Sequence, residues 1–161
     1  MKEKPAIFLL KVLALSLILF ILWYWKGERY YLSIFSGFLN HFLSIFGLGI
    51  QILWYPSEIF HNLIPFISLM LLSRDIHLKR RITKSAIGLL ILIADHILLS
   101  IGVYLLHHNA QTSPSATDYN YKFTFLLYTF SEILPFLLWV ILAKRNLLKL
   151  FMSKKTLAIN N

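Results

Sequence analysis

The sequence predicts an all-α integral membrane protein with four transmembrane helices and one amphipathic interfacial helix on the outer side. Three observations carry this expectation: the composition, the long apolar runs, and the way basic residues collect between them. Of 161 residues, 58% are hydrophobic and 14% charged, and mean hydropathy is +0.68. Soluble domains hold closer to a quarter charged residues and break their apolar runs into amphipathic pieces. One membrane domain over residues 1–161 is expected. The absence of cysteine excludes disulfides, thiolate metal ligands and a cysteine nucleophile. A net charge of +9, gathered beside apolar spans, reads as a topology signal and a contact for anionic lipid, not as a nucleic-acid footprint.

Taken in order, "AIFLLKVLALSLILFILWYW" at 6–25 is the first span. Trp23, Tyr24 and Trp25 stand where a signal peptide would carry small residues, and they suit an interfacial belt. In 30–50, Ser33, Ser36, Gly37, Asn40, His41, Ser44 and Gly47 recur at three- and four-residue steps and make one stripe on an apolar helix. That helix either crosses with the stripe against a neighbour or lies in the outer interface with the stripe toward water. The charges decide. Residues 57–73 form the second span, and Arg74, Lys79, Arg80, Arg81 and Lys84 crowd the loop after it. Residues 85–106 and 122–143 are the third and fourth spans, with a polar loop between and a basic tail from Lys144 to the end. Four spans place the N-terminus, the basic loop and the tail on the cytoplasmic side of the inner membrane, so 30–50 is assigned to the outer surface. Pro65 and Pro135, inside spans, are expected to kink their helices and free a carbonyl for another partner.

Polar residues inside spans are the candidate functional groups. Asp95 and Glu132 sit near the middle of the third and fourth spans, at similar depth, with His96 beside Asp95 and Ser100 one turn further on. At about 100° per residue, Asp95 and His96 point in different directions. Gly88, Asp95 and Gly102 recur at seven-residue steps, a face that permits close helix approach. Asp95, His96 and Glu132 read either as a proton relay or polar binding site, or as interhelical hydrogen bonds worth about 0.5–2 kcal/mol each. At the outer face, Glu58 and His61 share one helix side, with His107, His108 and Asp118 on the same side of the membrane, and Asn40 and His41 add to the polar set. The spacing matches no metal motif and no GxSxG elbow is present, so neither a metal nor any other cofactor is expected.

An N-terminal span ending in "LWYW", the segment "YYLSIFSGFLNHFLSIFGLG", the span "NLIPFISLMLLS" and the basic turn into "RRITKSAIGLLILIADHILL" give the chain a likeness over roughly residues 8–100. It resembles the small membrane proteins associated with exosortase and archaeosortase systems, especially the exosortase H-associated type. Exosortases themselves are multispanning transpeptidase-like proteases using Cys, Arg and His; a chain with no cysteine departs from them decisively. The resemblance implies an accessory role in surface-protein sorting or envelope assembly beside a partner membrane protein. Two alternatives remain open on the residues: a proton-linked transport element built on Asp95, His96 and Glu132, and an intramembrane hydrolase.

Overall fold

The structure, a computed structural model, describes residues 5–45, 57–73, 76–112 and 117–159, with side chains in the central parts of those ranges. Every regular element among the described residues is helical: α1 (Pro5–Leu22), a π-helical turn (Trp23–Gly27), α2 (Glu28–Ile45), α3 (Ser57–Phe60), α4 (Leu63–Leu72), α5 (Leu78–Thr112) and α6 (Thr117–Ile159). Three helices are long and apolar enough to cross a membrane: Ala6–Ile45 with 40 residues, Leu78–Leu106 with 29 and Asn120–Ala143 with 24. The outward surface matches that reading, since Leu10, Leu13, Leu90, Leu98, Phe125 and Ile141 all stand exposed as lipid-facing side chains do.

Two boundaries differ from the sequence expectation. The interfacial helix is not separate: α1 runs into α2 through the π turn, in which the Glu28 N–H bonds the Trp23 carbonyl five residues back. Gly27 suits this turn because the Trp23 ring lies over it, 3.4 Å from where a Cβ would stand. Such a turn holds an extra residue and re-phases the helix. Val12 and Ser16 are buried before it, whereas Phe35, Leu39 and Leu43, four apart, are the buried face after it and pack with Phe60, Ile97, Ile101 and Tyr104. The predicted stripe therefore turns outward, and nothing lies within 4 Å of a Cβ built on Gly37. Residues 46–50 of that expected helix lie outside the described residues.

The second predicted span is also not one helix. It breaks at His61–Asn62 into α3 and a ten-residue α4, about 15 Å long against a hydrocarbon core of about 30 Å. Pro65 is the cause. A proline ring clashes with the carbonyl four residues back, here His61, and the chain turns there instead, with Ile64 N–H on the His61 carbonyl at 2.9 Å. Pro65 then sits in the first turn of α4, where no N–H partner is needed. The short helix becomes the hub of the bundle: it touches α1, α5 and α6, and Leu63, Ile64, Phe66, Ser68, Leu69 and Met70 are buried.

α5 and α6 pair antiparallel without a slip in register. Lys84 Nζ donates to the Leu142 carbonyl, Ser131 bonds Asp95, and Asn120 Nδ2 donates to the Leu106 carbonyl at 3.1 Å. These contacts fall every eleven residues on both helices, or three full turns, so each set shares one face. The end holding Lys84 also gathers Phe8 stacked on Trp139 at 6.0 Å, Trp139 Nε1 donating to Ser73 Oγ at 2.9 Å, and Arg81 Nη1 on the Leu71 carbonyl at 3.1 Å. Arg81 thus caps the C-terminal end of α4, where its last carbonyls and dipole favour a cation.

Gly88 marks the tightest approach. A Cβ there would lie 2.0 Å from Cζ of the buried Phe66 ring, so α4 lies against bare backbone of α5. Gly88→Ala is expected to lower stability by about 1–3 kcal/mol through overpacking, read as a fall in the thermal midpoint of detergent-purified protein. Adding Phe66→Leu should recover part of the loss, which a defect unrelated to this contact would not.

Candidate functional site

The break before α4 puts Asn62 at a helix N-cap, where asparagine usually binds its own helix N–H groups. Here the side chain makes no cap bond. It reaches instead across the bundle: Asn62 Nδ2 donates to the Ser131 carbonyl at 3.0 Å and lies 3.3 Å from Ser131 Oγ, and its Oδ1 lies 3.0 Å from His96 Nε2. The Ser131 carbonyl is available because its helical donor would be the N–H of residue 135, and Pro135 has none. α6 runs on through Pro135.

That carbonyl also fixes the direction of the whole network. It can only accept, so the amide nitrogen of Asn62 must face it and Oδ1 must face His96. His96 therefore donates from Nε2, and with uncharged groups at both nitrogens the neutral ring accepts at Nδ1 from the Tyr31 hydroxyl, 2.6 Å away. At the other end Ser131 Oγ donates to Asp95 Oδ2 at 2.5 Å. A chain of donors thus runs from Tyr31 on α2 through His96, Asn62 and Ser131 to Asp95, joining α2, α4, α5 and α6. Asn62, His96 and Ser131 are fully buried. Around His96 close the rings of Phe60 at 4.5 Å and Tyr31 at 5.8 Å.

The residues singled out from sequence divide among several places. Asp95 and His96 belong to one network, at separate points of it, and are bridged through Asn62 and Ser131 instead of touching. Glu132, expected at the depth of Asp95, turns outward one residue past Ser131 and lies 3.6 Å from His61 Nε2. Ser100 is buried with its Oγ lacking a hydrogen-bond partner among the described residues, as is Ser68. His41 is exposed and offers its carbonyl to Ser44 Oγ at 2.7 Å, while Asn40, half-buried beside it, encloses its Oδ1 without a partner. The side chains of Glu58, His107, His108 and Asp118 lie outside the described residues. No group of three or more potential metal ligands forms among the described residues. Tyr31, Asn62 and Ser131 were not singled out in the sequence, although counting four back from Pro135 leads directly to Ser131.

Two expectations test the network. Asn62→Ala should cost about 1–3 kcal/mol by stranding the Ser131 carbonyl and His96 Nε2–H. In a Pro135→Ala background, which restores an intrahelical donor to that carbonyl, the cost should shrink by about 0.5–2 kcal/mol in a double-mutant cycle of unfolding in mixed micelles. Tyr31→Phe removes one bond at the chain's end and should cost about 1 kcal/mol, a smaller loss than Asn62→Ala in the same assay.

No family model, curated protein or solved structure matches the chain.

Proposed function

We propose that the chain is a non-catalytic accessory protein of the cytoplasmic membrane, packing against a partner membrane protein in a surface-protein sorting or envelope-assembly system. The observation that carries the non-catalytic part is the engagement of His96. It is fully buried and both ring nitrogens are committed to Tyr31 and Asn62, so it can offer nothing to a substrate without opening the bundle. The sorting system rests on the family resemblance of residues 8–100.

The proton-relay reading is weaker for a chemical reason. An amide neither accepts nor passes on a proton at moderate cost, and Asn62 stands between His96 and Asp95. Hydrolase chemistry lacks access: the Ser131 hydroxyl is buried and committed to Asp95. For the partner, the outward face of α2 bearing Ser33, Gly37, His41 and Ser44 supplies a surface that admits close helix approach.

The reading keeps four crossings, with α3 and α4 together making the second. The alternation of helix direction supports it, since Phe8, Ser73, Lys84 and Trp139 gather at one end of the bundle. That end carries Lys79, Arg80 and Arg81 and faces anionic lipid on the cytoplasmic side, with both termini inside.

Capture of the tagged protein after in-cell crosslinking should recover a second membrane protein in near-equal amount; recovery of none would overturn the accessory role. A tag within 107–121 should react with impermeant reagent on intact cells, and protection of that tag would overturn the four-crossing topology. Asp95→Asn should leave partner recovery intact, whereas pH-dependent flux in reconstituted vesicles that this variant abolishes would favour transport.

A further inference from the structure

Glu132 stands at the middle of the apolar stretch Asn120–Ala143, yet its side chain is 48% exposed on the outer face of the bundle. A carboxyl group there faces hydrocarbon, and such groups are rare unless protein covers them. The His61 side chain is 26% exposed, and its Nε2 lies 3.6 Å from Glu132 Oε1, beyond hydrogen-bonding distance. The surroundings are apolar and outward. On α1 the Phe20 ring tilts against His61 at 5.5 Å and stacks with the exposed Tyr24 at 6.3 Å. On α6 Ile133 and Phe136 are about half exposed. The polar pair is therefore set between α1 and α6, with the Phe20 and Tyr24 rings on one side and the exposed Ile133 and Phe136 on the other.

We propose that this face takes a second copy of the chain, in a side-by-side two-fold dimer in which Glu132 meets His61 of the partner subunit and the reverse. The charge pattern selects this occupant. Copies inserted in the same direction are related by a two-fold axis along the membrane normal, which keeps depth and reverses lateral order. One acid and one imidazole lying side by side at one depth are self-complementary under that operation, as an isologous interface requires. Each carboxylate then sits between two imidazoles and leaves the hydrocarbon. Tyr24, Ile133 and Phe136 close around the ring and exclude lipid. This inference is independent of the accessory reading, because it uses the α1–α6 face and leaves the outward stripe of α2 free.

The chain contains no cysteine, so single-cysteine variants report proximity without background. Phe136→Cys, oxidised in native membranes, should give a covalent product of twice the 18.8 kDa chain, and Leu98→Cys, more exposed but on α5, should not. Adding Glu132→Leu should reduce the product about tenfold at equal abundance, the effect of one central interface contact. The exchange His61→Glu with Glu132→His preserves the self-complementary pattern and should restore most of the product. Thr129, exposed on α6 one turn before Glu132, gives a second position: the proposal is overturned by absence of dimer from both Phe136→Cys and Thr129→Cys, or by equal crosslinking at Leu98→Cys. A product whose mass reveals a different membrane protein, or crosslinking indifferent to Glu132→Leu, overturns it equally.

Discussion

The bond from the Asn62 amide to the Ser131 carbonyl is the contact on which the rest of the bundle depends, and two prolines create it. Pro65 stops α3 and places Asn62 in a turn; Pro135 strips the Ser131 carbonyl of its own donor. Each proline alone would leave a backbone or amide group unpaired in an apolar interior, where an orphan costs about 1–3 kcal/mol. Together they supply donor and acceptor to each other. This explains why one proline breaks its helix while the other is passed without interruption: the broken segment satisfies the continuous one.

That single bond fixes more than its own energy. Because the carbonyl can only accept, it sets the Asn62 amide, the amide sets the proton on His96, and His96 sets the direction of the Tyr31 hydroxyl. The register of α5 against α6 is tied to the same place, since Ser131 also meets Asp95, one of three contacts spaced eleven residues apart. A slip of one residue would turn those side chains through about 100° and empty all three contacts together. Apolar packing between Leu- and Ile-rich helices discriminates weakly among registers, because lipid is as good a neighbour as another leucine. The polar level makes one register preferred.

How much of this was legible in the sequence follows the same division between local and long-range causes. Helical class and the apolar stretches near 85–106 and 122–143 are written in composition and length. Asp95 and His96 were visible as polar residues in an apolar run, and the freed carbonyl at Pro135 was visible as a consequence of the ring. What filled it was not: nothing local to Asn62 distinguishes a cap residue from one that reaches across to residue 131. The π turn is not written in the pattern of apolar residues: it rests on the Trp23 ring lying over Gly27 four residues on, a local fit that hydrophobic periodicity does not signal. The expected break between α1 and α2 failed for a related reason. Charge counting rewarded a surface helix, while the chain continued as one rod and used its Phe35, Leu39 and Leu43 face on α3 and α5.

Three pairs of neighbouring residues meet at this level of the bundle, and they divide alike. Asn62, His96 and Ser131 turn inward and are fully buried; His61, Asp95 and Glu132 flank them and retain exposure. On α5 and α6 a turn of about 100° between neighbours imposes this division, the break before α4 does the same for His61 and Asn62, and the chemistry follows it. The inward set consists of an amide, a neutral imidazole and a hydroxyl, which apolar surroundings accept once each is hydrogen-bonded. Both acids lie at the periphery, where Asp95 accepts from Ser131 and Glu132 stands 3.6 Å from His61 Nε2, beyond hydrogen-bonding distance. Closing the bundle with neutral groups keeps an ionised acid out of its centre. It also leaves Glu132 exposed at mid-span, a position that lipid penalises and a neighbouring protein surface can satisfy.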